Sequence, residues 1–175
     1  MIKIKNKQLE KIFNRKIIKN VNVLGFDTAT RTGWAKIHSD GEYTYLEYGF
    51  FKVKTKEGYA RFTEFVEEFS KLITKDIDKL VLEDTFYNRN PNVFKLLTRF
   101  GMIGYMVGHS QGVLIKYFIS AKQARKYLGF VNTNKEATQA DFHKRLKRIK
   151  IQDNDIIDAI VLALCGLFQE SKLDV

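Results

Sequence analysis

The chain has 175 residues, 45% hydrophobic and 13% aromatic, with one proline and one cysteine, and it carries a formal net charge of +10 with a pI near 9.6. This suits one domain with a substantial core rather than a disordered chain. The apolar runs are too short to span a bilayer and no signal-peptide pattern opens the chain; a lone Cys165 excludes an intrachain disulfide and a thiolate metal cluster, so a reducing, cytoplasmic setting is expected.

The charge implies a polyanionic partner, and its distribution favours nucleic acid over a membrane surface. Residues 1–20 hold Lys3, Lys5, Lys7, Lys11, Arg15, Lys16 and Lys19 against Glu10 alone. Their apolar positions are irregularly spaced, so they read as a basic arm ahead of a domain at 21–170, with a short tail at 171–175. Residues 144–150 form a second basic patch through Lys144, Arg145, Lys147, Arg148 and Lys150.

The domain opens with Val21-Asn22-Val23-Leu24-Gly25-Phe26-Asp27, a buried strand by its length and Val and Leu content. Two more strands, about 33–38 and 42–54, flank the hairpin turn Ser39-Asp40-Gly41. Residues 57–75 change to helical period, with Tyr59, Phe62, Phe65, Val66, Phe69, Leu72 and Ile73 separated by charges. A short strand ends at Glu83-Asp84. A long helix, about 92–110, carries Gly101, Gly104 and Gly108, which suggests close approach of another backbone. A strand at 112–119, a short helix at 120–128, a basic helix at about 135–149 and an apolar helix from Asp153-Asn154 through Leu167 complete the chain. The order βββαβαβ followed by helices predicts an α/β fold with a five-stranded mixed sheet.

Four acids stand out. Asp27 ends the first strand and Glu83 the fourth; Asp155 and Asp158, three apart, share one helical face. A lone Asp at a strand end ordinarily starts a turn, and Asp155 in a first helical turn complements the helix dipole. Asp158 is followed by a continuous apolar run, where an unpaired carboxylate is costly. If the first and fourth strands are neighbours, all four converge, and such crowding raises carboxyl pKa values unless a cation joins them. Oxygen ligands with no Cys or His nearby favour Mg²⁺ or Mn²⁺. Two such ions, about 4 Å apart, suit in-line displacement at a phosphate.

These segments, Leu24-Gly25-Phe26-Asp27-Thr28-Ala29-Thr30 with Gly33-Trp34, Val81-Leu82-Glu83-Asp84-Thr85-Phe86, and Asp155-Ile156-Ile157-Asp158-Ala159, resemble the RuvC family of Holliday-junction resolvases, within the RNase H-like superfamily. The resemblance covers about residues 21–168. It implies an RNase H-like fold and a homodimeric, Mg²⁺-dependent endonuclease that resolves four-way DNA junctions by paired nicks, leaving a 5′-phosphate and a 3′-hydroxyl. By the same resemblance Asp27, Glu83, Asp155 and Asp158 are the metal-binding catalytic acids. Phe86 matches an aromatic that wedges into the junction, Lys135 a DNA-contacting lysine and Arg125 a second basic position; for Phe86, core packing is the competing expectation. The helix at 92–110 is the expected dimer interface. Where the family has Asp-Pro-Gly this chain has Asp27-Thr28-Ala29, so a less constrained turn is expected. The Lys-rich composition looks like that of phage-encoded members. Competing readings are an RNase H-type or broader branched-DNA nuclease on the same fold and a non-catalytic junction-binding module; a sugar-kinase-like ATPase would need a second such domain.

Overall fold

The structure is a computed structural model that describes residues 1–85, 90–130 and 135–168, without the side chain of Lys135. In chain order it comprises β1 (Ile2–Lys5), α1 (Asn6–Phe13), β2 (Val21–Asp27), β3 (Arg31–Ser39), β4 (Tyr43–Lys52), α2 (Gly58–Leu72), β5 (Lys79–Glu83), α3 (Pro91–Ser110), β6 (Ile115–Ile119), α4 (Ala121–Tyr127), α5 (Lys135–Arg145) and α6 (Asn154–Leu167). The sheet order is β1-β4-β3-β2-β5-β6. β2, β3 and β4 form an antiparallel meander, while β5 and β6 join in parallel.

Alternation along the strands sorts the core into two layers. Val21 and Val23 of β2, Ala35 and Ile37 of β3, Leu46 of β4 and Val81 of β5 pack with α6. Leu24, Phe26, Leu80, Leu82 and Phe51 point the other way and meet Phe65, Phe69 and Phe100 of α2 and α3. Phe26 stacks on Phe69 at 4.1 Å between ring centres, and Phe65 on Phe100 at 4.4 Å. β2 is covered on both sides, which is why it reads as an almost continuous apolar run. The small residues Gly25, Ala159 and Ala163 let α6 lie close on it: a Cβ on Gly25 would fall 2.6 Å from the Ala159 carbonyl oxygen.

The sheet has six strands, not five. The extra strand, β1, pairs antiparallel with β4, Ile2 opposite Leu46 and Lys5 opposite Tyr43. Its Ile-Lys-Ile-Lys alternation has period two and gives way at once to the helical period of α1, and over so few residues the two periods together look irregular. Ile4, Leu9, Phe13 and Ile17 are all buried in the α6 layer. Buried polar contacts fix the junction: Asn6 Nδ2 donates to Ser39 Oγ at 3.0 Å and Thr44 Oγ1 to Asn6 Oδ1 at 2.6 Å. The lysines of this segment stay outside.

The glycines of α3 also differ from expectation. They face this chain's own sheet, Gly101 against Phe118, Gly104 against Phe69 and Leu82, and Gly108 against Leu80. The stripe brings helix onto strand, and the opposite face of α3 exposes Met102 and Met106. Among the described residues no helix is long and apolar enough to cross a membrane.

Candidate active site

The parallel pairing of β2 with β5, Phe26 opposite Leu82, brings Asp27 and Glu83 to the same end of the sheet. Both lie in the alternation set of Val23 and Val81, so both side chains rise on the α6 face. Asp27 is 8% exposed. Its carboxyl sits well above the usual carboxylate range, first because burial penalises the charged form, then through a hydrogen bond and charge repulsion from Glu83, then through the charges of Asp158 and Asp155.

α6 delivers the other two acids. Asp153 is its N-cap, accepting from the Asp155 N–H at 3.1 Å and the Ile156 N–H at 3.4 Å. The first turn crosses β3 at Gly33, where a Cβ would lie 2.2 Å from the Asp155 carbonyl oxygen. Gly33→Ala is therefore expected to push this turn off the sheet, lowering stability by about 1–3 kcal/mol. Cleavage should fall more steeply than stability, a difference seen by comparing denaturant midpoints with turnover.

Two arginines supply countercharge. Arg31, at the start of β3, donates from Nη1 to Asp155 Oδ2 at 2.5 Å and to Asp153 Oδ1 at 3.0 Å, and its Nη2 pairs with Asp153. Asp153 is held below the usual carboxylate range, chiefly by this hydrogen bonding from Arg31. Arg125 of α4 is buried and pairs with Asp158, which is 3% exposed. Arg125 is thus an internal counter-ion and not a free DNA-facing charge, because α4 packs against α6. Arg31 was not singled out by sequence reasoning, and Asp153 only as the start of the last helix, which it is; the one available signal for Arg31 was a basic residue just after the turn that follows Asp27. That turn is tied down despite lacking Pro-Gly: Thr32 Oγ1 donates to the Ala29 carbonyl at 2.6 Å and accepts from the Ala29 N–H at 3.3 Å.

The donor set fits a hard divalent cation in kind. It consists of carboxylate oxygens, the Asp27 carboxyl is raised by burial first and then by its carboxylate neighbours, and the Thr28 hydroxyl buried beside it finds no hydrogen-bond partner among the described residues. Among those residues, however, no three His, Cys, Asp or Glu side chains are grouped closely enough to hold a metal ion. Arg31 and Arg125 each engage one of the four acids, Asp155 and Asp158 respectively.

The remaining basic positions divide. Lys144, Lys147 and Arg148 are exposed. Arg145 is turned inward to structure, donating to the Leu128 and Gly129 carbonyls at 3.2 and 2.7 Å and pairing with Asp141. Phe86 lies outside the described residues, as does the side chain of Lys135.

Residues 23–166 match the family model described as Crossover junction endodeoxyribonuclease RuvC. A relative of that name from Sulfurovum sp. (strain NBC37-1) is 33% identical over 84% of this chain and 95% of its own length. Another from Aliarcobacter butzleri (strain RM4018) is 33% identical over 82% and 96%. Among solved structures, Thermus thermophilus RuvC in complex with a Holliday junction substrate superposes with a TM-score of 0.67 at 15% identity, over 82% of this chain and 90% of that one, and so shares the fold. With the family model spanning most of the domain, and the strand-end acids lying inside the matched segment, this chain belongs to the RuvC family of crossover junction endodeoxyribonucleases.

Proposed function

We propose that this chain is a structure-selective DNA endonuclease that resolves four-way junctions by paired symmetric nicks, leaving a 5′-phosphate and a 3′-hydroxyl. The observation that carries the reading is the Asp27–Glu83 pair at the ends of adjacent parallel strands, with α6 bringing Asp155 and Asp158 to the same end. The family's metal dependence extends to two Mg²⁺ ions here, with Mn²⁺ able to substitute, held by Asp27, Glu83, Asp155 and Asp158. Bound there, the ions would activate water and offset charge on the scissile phosphate. Until the ions bind, Arg31 and Arg125 keep Asp155 and Asp158 countercharged and orient both side chains. Lys144, Lys147 and Arg148, with Lys135, hold the DNA backbone, and Phe86 enters the opened junction. The setting is the cytoplasm, at DNA, in recombination, repair or phage DNA processing.

A two-fold symmetric junction calls for two active sites, hence a homodimer. The outward face of α3, with Met102 and Met106 exposed, fits the interface. Met106→Glu is expected to convert dimer to monomer in sedimentation velocity and to uncouple the two nicks; an unchanged dimer would place the interface elsewhere.

The test is cleavage of a labelled four-way junction, a linear duplex and an RNA–DNA hybrid, each with Mg²⁺ and with EDTA. Metal-dependent symmetric nicks confined to the junction support the reading. Tight junction binding without cleavage would make the protein a binding module, and cutting of the hybrid would overturn the substrate while keeping the chemistry.

A further inference from the structure

Beside the acids, the end of β4 carries an aromatic and basic strip to which nothing above gives a role. Leu46, Tyr48, Phe50 and Lys52 alternate along the α6 face of β4. Leu46 and Tyr48 pack into the α6 layer, but Phe50 is 52% exposed and Lys52 is exposed. The register sets Phe50 opposite Gly33 and Lys52 opposite Arg31. Gly33 is where the first turn of α6 crosses the sheet, so Phe50 sits at the rim of the acid cluster.

Arg31 makes the link explicit. Its guanidinium lies 3.9 Å from the centre of the Phe50 ring while its Nη1 binds Asp155. The strip then continues through exposed Lys54 and Lys56 to Tyr59, which is 91% exposed. The Val53 N–H donates to the Thr30 carbonyl at 2.8 Å, tying this continuation to the turn after Asp27. Glu57 is the sole acid between residues 50 and 59.

An isolated exposed Phe is unremarkable on a protein surface. Here one side of the ring is covered by a cation that is itself fixed to active-site carboxylates, and lysines follow immediately along the chain. A flat π-face backed by a guanidinium and flanked by ammonium groups is what a single nucleic-acid strand needs: a base stacks on the ring and its phosphates meet the lysines. A base paired inside a duplex cannot offer its face, so the occupant is an unpaired one.

We propose that Phe50 is a stacking platform for an unpaired nucleobase of the bound DNA, with Lys52 and Lys54 taking the flanking phosphates. This rests on the reading of the chain as a DNA endonuclease. It makes Phe50 a substrate-positioning residue, set beside the scissile phosphate by Arg31.

The experiment titrates the full chain, in EDTA, into four-way junctions carrying 2-aminopurine at each central position in turn. Wild type, Phe50→Trp, Phe50→Leu and Lys52→Gln are compared. Stacking predicts a fluorescence change at one position with wild type and Phe50→Trp. With Phe50→Leu that change should vanish and binding should weaken on the order of 5- to 100-fold. Lys52→Gln should keep the signal and lower the salt slope of binding by about one. Leu preserves apolar cover beneath Arg31 without a π-face, so a Phe50→Leu protein that keeps both signal and affinity would overturn the platform and leave Phe50 as support for Arg31. Binding of wild type to duplex as tightly as to the junction would refute junction selectivity and not the platform, which is still judged by Phe50→Leu against wild type on the same DNA. A wild type that binds no DNA would overturn both.

Discussion

Asp27→Asn is expected to lower junction cleavage by roughly 10²–10⁴-fold while leaving junction binding in place and making the metal-free protein more stable than wild type. The two effects share one cause. Burial and the neighbouring carboxylates hold the Asp27 carboxyl above its ordinary range, so the folded state resists its ionisation. For a carboxyl raised on folding, the native state binds the proton more tightly than the unfolded chain. Stability contributed by this group is full below the usual carboxylate value of about 4, falls as pH rises from there toward the raised native value, and stays lost above it. Asn carries no charge at any pH, so the difference in melting temperature, variant minus wild type, should grow with pH across that window. Each kcal/mol relieved corresponds to roughly 2–4 °C for a chain of this size. Mg²⁺ should raise the wild-type melting temperature and leave that of Asp27→Asn nearly unchanged. Melting curves from pH 4 to 8, with EDTA and with Mg²⁺, test this; a variant less stable than wild type in EDTA at pH 8 would mean that Asp27 is not electrostatically strained.

The second large effect concerns Arg125. Removing it leaves Asp158 buried beside α4 without the guanidinium it now pairs with, and breaking a buried ion pair from one side typically costs about 3–5 kcal/mol. Arg125→Ala should therefore melt roughly 6–20 °C lower. Replacing both partners by neutral groups is a different case, since no uncompensated charge remains. The double variant Arg125→Met with Asp158→Asn should recover most of the loss, giving a coupling energy of opposite sign to the sum of the single changes. If Arg125→Ala melts within 1 °C of wild type, the pair is not an internal counter-ion.

What could be read from sequence followed from how locally each feature is encoded. β2 and its terminal Asp27 were legible because a covered strand is a continuous apolar run that a carboxylate interrupts. α6 was legible because its N-cap and apolar stretch lie together. β1 and α1 were not, since four residues of period two followed by eight of period 3.6 average to no period. The glycines of α3 gave the right inference, close approach, but not the direction; sequence cannot say which neighbour a helix presses on. The inward roles of Arg31, Arg125 and Arg145 depend on partners more than a hundred residues away for Arg31, and on packed helices for the other two. A basic side chain looks the same in a string of letters whether it meets solvent, phosphate or a buried Asp.

The order of the elements, with α6 after the strands it covers, has a consequence for synthesis. Val23, Ala35, Ile37 and Val81 wait for a cover whose last residue, Leu167, is added about 140 residues after Asp27, or roughly 7–28 s later at ordinary elongation rates. Half of the acid cluster arrives with that cover. A nascent chain therefore has neither a closed α6 layer nor all four acids until α6 has been made, and the acids are brought together by the same event that closes that layer.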